Sequence, residues 1–365
     1  MIKLAYDYQI FLRQQYGGIS RYLCEVAARI AKDKNYNTRV VALAYINNYL
    51  SDCPSSLTLG RHIPKVPKSY KVLSKINTEG SKLIFRSMKP DIIHETYYSP
   101  NRLAPKKSKV IITVHDMIHE KFINYFPLDR DNTVQVKAKA LHRADHIIAV
   151  SQNTKKDVVE ILGIDPQKIS VIYHGHMLKN TPKPSYDTRF PYILYVGERK
   201  TYKNFASLLK AFSNDRLLKN DFKIVCFGGG PFSKAEIAML QDNTLDEKSV
   251  IQISGDDGKL AAYYANASAF IYPSFYEGFG IPPLEAMEQQ CPVVCSNASS
   301  IPEIVGNAGE YFNPYELDSI TTALKLVLYS KTRQIELIEA GCKRVKHFTW
   351  DKCAKETMKL YQSLL

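Results

Sequence analysis

Two carboxylates, Glu277 and Glu285, stand eight positions apart in the string SFYEGFGIPPLEAMEQQCPVV. Between them lie a glycine-flanked aromatic (Gly278, Phe279, Gly280), then Ile281 and the double proline Pro282–Pro283. Proline suits the first turn of a helix, where its missing N–H is not needed. The spacing therefore predicts a helix beginning near Pro282 that carries Glu285, with Glu277 in the loop before it. Backbone N–H groups at a helix start beside a glycine favour an anion such as a phosphate. A loop carboxylate, a helix carboxylate and a bank of amides together suit a ligand with both hydroxyls and phosphates.

Cations that would answer such phosphates follow the strand-like YVGE. In YVGERKTYKNF a turn at Gly197 is followed by Arg199 and Lys203. A diphosphate leaving group gains charge in the transition state, and fixed cations stabilise it. Arginine grips phosphate in a fork, and lysine acts as a point charge. Gly228 opens the glycine triplet of CFGGGPF, which allows close backbone approach, and Ser254 lies in ISGDD after a later strand. In the first half, His115-Asp116 ends the run KVIITVHD, a strand-end place where α/β sheets bind ligands. Gly17-Gly18 follow the first strand and precede the helical stretch ISRYLCEVAARIAKD, and the aromatic pair Tyr97-Tyr98 in HETYYSP faces either an acceptor sugar or lipid, or packs as a tyrosine corner. His119 and His174 are weaker strand-end candidates. The DRD at 129–131 has the form of a metal-binding D-x-D but sits in a polar stretch, and no His/Cys cluster has zinc spacing, so no metal is expected.

The E-x7-E string, with the other segments in the same order over most of the chain, resembles the family 4 retaining glycosyltransferases of GT-B fold. The resemblance implies a nucleoside-diphosphate sugar as donor and no cofactor. It implies that Glu285 binds the ribose diol, and that Glu277 with the amides near Phe279-Gly280 and Ile281 binds the sugar. Arg199 and Lys203 would contact the diphosphate, Gly17-Gly18 would approach the donor phosphates, and Gly197, Gly228 and Ser254 would line the nucleotide. His115 would lie near the transferred sugar, with Asp116, Tyr97 and Tyr98 toward the acceptor. YGGISRY and the YVG-R-YKNF spacing look most like bacterial mannosyltransferases of O-antigen and capsule assembly. That implies GDP-mannose, and a saccharide or polyprenyl-diphosphate-linked saccharide acceptor in lipopolysaccharide synthesis.

Elements must position these residues. Short β-rich runs alternate with helical stretches, which argues for parallel α/β sheets. IKLAYD, RVVALAY, DIIHE, KVIITVHD, HIIAVS and ISVIYHG read as strands, and YILYVGE, FKIVCFGG, VIQISG, AFIYPS and PVVCSN as a second set. The expected fold class is α/β, two Rossmann-like domains facing a central cleft. Residues 1–179 form the first domain and 180–191, rich in proline, the linker. Residues 192–348 form the second, and 349–365 a terminal helix that in this family often crosses back to the first.

Composition narrows the class. The chain has 365 residues, 45% hydrophobic and 23% charged, enough for two cores. Seven cysteines without a C-x-x-C argue against a disulfide framework, and a reducing compartment fits. Lys3 and Asp7 interrupt the apolar start, so no signal peptide is read there. The formal charge of +13 is uneven: residues 1–185 hold 29 Lys and Arg against 15 Asp and Glu, and 186–365 hold 20 against 21. Residues 61–90 alone carry eight cations and one acid. Such a patch attracts anionic surfaces. The expectation is a cytoplasmic protein peripheral on an anionic membrane, with no nucleic acid. Two other classes remain open from sequence. One is a nucleotide-sugar epimerase on the same scaffold; the other is a non-catalytic module binding nucleic acid or another anion.

Overall fold

The computed structural model describes residues 1–125, 132–176, 190–199 and 201–365. The expected linker lies mainly outside the described residues, and so does the DRD at 129–131. The chain divides into two compact units, Met1–Gly175 with Trp350–Leu365, and His176–Thr349.

The first unit is built on seven parallel strands: β1 (Ile2–Tyr6), β2 (Tyr36–Tyr45), β3 (Thr58–His62), β4 (Ile92–Glu95), β5 (Lys109–Val114), β6 (His146–Ala149) and β7 (Ile169–Val171). Their order is β3-β2-β1-β4-β5-β6-β7. The second unit has six: β8 (Tyr192–Val196), β9 (Lys223–Phe227), β10 (Val250–Ile253), β11 (Ala269–Tyr272), β12 (Val293–Ser296) and β13 (Gly309–Phe312), ordered β10-β9-β8-β11-β12-β13. Each is a doubly wound sheet in which the strand order reverses beside the first strand, a place where ligands bind outside the carboxyl ends. The reversals fall between β1 and β4 and between β8 and β11.

The sequence forms these sheets because its strands are apolar on both faces. Central strands of a parallel sheet are covered by helices on each side and read as continuous hydrophobic runs. VVCS and AFIY are buried at every position. The two short strands missed in the sequence, β3 and β13, lack that signal. Four of five residues of β3 are exposed, and β13 is GEYF.

The terminal helix Trp350–Ser363 belongs to the first unit. Trp350, Cys353, Ala354 and Tyr361 join the core of that unit, and Tyr361 Oη lies 3.2 Å from Tyr6 Oη. Arg29 on the helix Gly18–Ile30 donates to Asp351 at 2.7 Å. Within the basic stretch 61–90, residues Tyr70–Met88 fold as a 19-residue helix that carries Lys71, Lys75, Lys82 and Arg86. No helix among the described residues is long and apolar enough to cross a membrane. All seven cysteines are free thiols.

Candidate functional site

The second sheet brings Lys203 and Glu277 together at its reversal point. Strand β8 is followed by Gly197, whose φ of +115° suits glycine and whose N–H donates to Phe227 O at 2.9 Å. The chain then turns through Thr201–Lys203, and β11 leads into the loop holding Glu277. The two loops are tied by Phe275 N–H donating to Tyr202 O at 2.9 Å. Lys203 Nζ meets Glu277 Oε1 at 2.7 Å, both side chains largely buried. The rings of Tyr202 and Tyr272 lie 5.3 and 5.7 Å from that ammonium. Burial raises the Tyr272 hydroxyl well above its ordinary pKa, and the Glu277 charge adds to this.

The backbone around Glu277 is pinned. Its N–H donates to Ser299 Oγ at 2.8 Å, while Ser300 Oγ donates to the carbonyls of Glu277 and Phe279, both at 2.8 Å. Gly280, at φ +116°, caps the helix Ile281–Glu288, and prolines occupy its first turn. Gly278 and Phe279 precede that cap, and Phe279 packs edge-on to Phe348. Glu285 is buried on the helix and accepts from Tyr264 Oη at 3.4 Å. The expected helix start is found, and the two carboxylates occupy the loop and the helix as read.

Arg199 and Lys203 part company. The Arg199 guanidinium is buried: Nε donates to Glu236 at 2.5 Å, Nη1 to Gly228 O at 3.1 Å and Nη2 to Gly230 O at 2.9 Å. Its Cζ lies 4.8 Å from the Phe232 ring centroid. Arg199 is thus the pin of the glycine loop, whose residues 228–230 all have positive φ. A Cβ on Gly229 would come within 2.6 Å of Arg199 Nη1. Gly228 and Ser254 are neighbours through Gln252, whose Nε2 donates to Gly228 O at 3.3 Å and Ser254 Oγ at 3.0 Å.

In the first unit the reversal point is organised by a buried acid. Asp7 accepts from Thr96 N at 3.0 Å, Gln9 N at 3.2 Å and Gln9 Nε2 at 2.6 Å. Gln9 also donates to Tyr97 O at 3.1 Å. Beside it lies a cavity of about 340 Å³ lined by Gln9, Arg13, Tyr70, Thr78, Tyr97 and Tyr98, among others. The Arg13 Cζ is 5.3 and 5.1 Å from the Tyr70 and Tyr97 ring centroids. Gly17 is extended, at φ 172°, and its missing side chain matters because the Gln14 carboxamide lies where a Cβ would be. Gly18 opens the helix Gly18–Ile30.

His115 follows β5 and stacks on His174, with His115 Nδ1 and His174 Nε2 3.4 Å apart, and meets the edge of Tyr22. Burial lowers its pKa to about 4, so the ring is neutral near pH 7. Asp116 accepts from Ile118 N–H at 3.1 Å through Oδ1 and from Lys137 Nζ through its carbonyl, also at 3.1 Å. Lys137 pairs with Glu120 at 2.9 Å. Among the described residues no group of three His, Cys, Asp or Glu side chains could hold a metal ion.

Tyr202, Tyr272, Ser299 and Ser300 in the second unit, and Gln9, Arg13 and Tyr70 in the first, are the residues that sequence reasoning missed. Ser299 and Ser300 carried a signal, since the polar run SNASS leaves a strand end. Arg13 and Tyr70 carried none, because they are 57 positions apart.

The sequence profile of Glycosyltransferase Family 4 matches residues 16–178, and that of Glycosyl transferases group 1 matches 179–344. The chain belongs to the family 4 glycosyltransferases. The O-antigen chain mannosyltransferase B of Escherichia coli is 27% identical, covering 95% of this chain and 96% of that relative. The O-antigen chain mannosyltransferase RfbU of Salmonella typhimurium is 30% identical over 59% of each chain. Among solved structures, sucrose-phosphate synthase from Thermosynechococcus elongatus superposes with a TM-score of 0.77 at 19% identity, covering 100% of this chain and 99% of that one. WaaG, a glycosyltransferase involved in lipopolysaccharide biosynthesis, gives 0.73 at 13%, covering 99% of each. These likenesses and the two parallel sheets give the family 4 enzyme its fold, GT-B. Membership also decides against a non-catalytic binding module.

Proposed function

We propose that this glycosyltransferase moves a hexose, with retention of anomeric configuration and without a metal, from GDP-mannose to a lipid-linked saccharide at the cytoplasmic face of a membrane. The observation that carries the reading is the Lys203–Glu277 pair at the β8–β11 reversal, with Glu285 on the helix that follows. In the proposed reaction the bond from the anomeric carbon to the β-phosphate oxygen breaks. The acceptor oxygen bonds that carbon on the same face, and its proton passes to the departing diphosphate. Lys203 stabilises the charge gained by that diphosphate. Arg199 acts on the phosphates through the glycine loop it holds. Glu285 accepts hydrogen bonds from the ribose diol and Glu277 from the sugar hydroxyls. In the first unit the cavity at Tyr97 and Tyr98 receives acceptor saccharide, and His115 offers a neutral ring to a hydroxyl. The names of the E. coli and S. typhimurium relatives support mannose and O-antigen assembly. A structural neighbour, Anabaena HepE, was solved with UDP and glucose, so the base is the point to test.

Thermal shift across nucleotide sugars tests the donor, since a ligand bound only by the native state raises apparent stability. GDP-mannose should shift the transition most; a larger shift with UDP-sugars overturns the assignment. Turnover should persist in EDTA, and an α-linked donor should give an α-linked product by NMR.

A further inference from the structure

The helix Tyr70–Met88 has two faces of different chemistry. Its inner face is fixed to the first unit. Phe85 is buried in the core, with Leu73, Ile84 and Met88 packed against it. Asn77 is fully buried and exchanges hydrogen bonds with Ala44 of β2, accepting from its N–H at 3.3 Å and donating to its carbonyl at 3.0 Å. At about 100° per residue, Val72, Ile76 and Leu83 fall within about 40° of one another on the opposite face. They are 63%, 51% and 65% exposed, and Val66, just before the helix, is 55% exposed. Lys71, Lys75, Lys82 and Arg86 run alongside this stripe on one flank. The only acid of the helix, Glu79, is engaged with Lys82 at 2.7 Å.

Single exposed apolar residues are ordinary. A stripe of three bulky ones beside a row of cations, on a helix whose other face is already packed, is the composition of a helix that lies in a membrane interface. We propose that the outward stripe of Tyr70–Met88 inserts into the acyl boundary of an anionic leaflet while its cations engage the headgroups. The inference deepens the reading of a membrane-surface acceptor and rests on it for its purpose. Charge selects the occupant: eight cations against one acid in residues 61–90 complement an anionic leaflet, whereas the same face of a second copy would set like charge against like.

The test uses the full chain and vesicles of phosphatidylcholine with phosphatidylglycerol. Electrostatic attachment is screened by salt, and insertion is screened far less. The protein should sediment with these vesicles at low salt, and part of it should stay bound at high salt. Val72→Ser/Ile76→Ser/Leu83→Ser, three exposed sites that should leave the fold intact by circular dichroism, should lose the salt-resistant fraction and weaken binding by about tenfold or more. Ile76→Trp should be quenched by brominated lipid beyond the wild type, whose one tryptophan, Trp350, is buried. Complete release of the wild type by salt, or a triple variant that binds like it, overturns the proposal. So does a triple variant that changes only the oligomeric state, which would make a second copy the occupant. Donor hydrolysis is followed in the same preparations and should be equal in all of them. A wild type that turns over no nucleotide sugar would instead sink the proposed donor reading and leave the vesicle result standing on its own.

Discussion

At the scale of single residues, Arg199 and Lys203 divide a task that looked shared in the sequence. Lys203 sits against Glu277, where a ligand's charge can replace the carboxylate. Arg199 spends its donors on Glu236 and on two carbonyls of the glycine loop. Lys203→Ala should therefore cut kcat by about 10²–10³, the usual cost of a lost contact to developing charge, and lower the melting temperature less than Arg199→Ala does, because Ser299 and Ser300 still pin the loop that carries Glu277. Arg199→Ala should lower both activity and stability, because it removes the donors that hold the carbonyls of Gly228 and Gly230 and with them the shape of the glycine loop. Equal melting temperatures for the two variants would show that the loop does not depend on Arg199. The carboxylates divide similarly. Calorimetry with GDP should show Glu285→Ala weakened and Glu277→Ala nearly unaffected, while the full sugar nucleotide should show both weakened. If both variants lose GDP equally, the loop and helix positions do not carry separate roles. The loop and helix positions of the two carboxylates were legible, because the glycines and the double proline mark where the helix begins, whereas the roles proposed for these residues came with the family resemblance. The pairing of Arg199 with Glu236 was not legible, because it depends on how a loop 37 positions away closes.

At the scale of elements, the strand-rich runs were legible wherever both faces of a strand are buried, and illegible at the sheet edges. The edge strand β3 has only one side to pair and little to bury, so its TLGRH reads as loop. The helix Tyr70–Met88 was hidden by its own cations, which drew the reading to charge before periodicity. The terminal helix was legible as a helix and its return to the first unit was expected from the family resemblance, but which of its residues enter that core was visible only in three dimensions. That helix closes a buried polar chain. Tyr361 Oη lies 2.6 Å from His94 Nδ1, and His94 Nε2 is 2.8 Å from Thr113 Oγ1, which is 3.2 Å from Tyr22 Oη. Burial lowers the His94 pKa to about 3, with His115 adding to the effect. The unfolded chain has a histidine pKa of about 6.5, so between the two values the unfolded state binds the extra proton. The stability held by neutral His94 is therefore fully present above about pH 6.5 and is lost as pH falls toward 3. His94→Gln should lower stability at pH 7 and flatten the acid limb of the stability–pH curve. An acid limb identical to the wild type's would place the proton uptake elsewhere.

At the scale of the whole molecule, the two halves differ in charge and in what they are expected to bind. The near-neutral second half holds the proposed donor residues, and the +14 of residues 1–185 belongs to the half expected to meet an anionic surface. Net charge of this kind speaks to partners and association, not to fold, which is why it was legible from composition alone. The same division predicts that two perturbations act on different units. His94, His115 and His174 all lie in Met1–Gly175, and burial lowers the pKa of each. Lys203, Glu277 and Glu285 all lie in His176–Thr349. Hydrogen exchange read peptide by peptide separates the two effects, because local and sub-global openings report regional stability. Mild acid should speed exchange in the strands of the first unit, β1, β4 and β5, more than in those of the second. GDP at about 100 times its Kd should add roughly 2.7 kcal/mol of protection, by mass action, to the unit that holds it. That protection should centre on β8, β11 and the helix Ile281–Glu288. Nucleotide protection centred on β1 and β4 instead would move the donor to the first unit and remove the physical basis for the roles given to Lys203, Glu277 and Glu285.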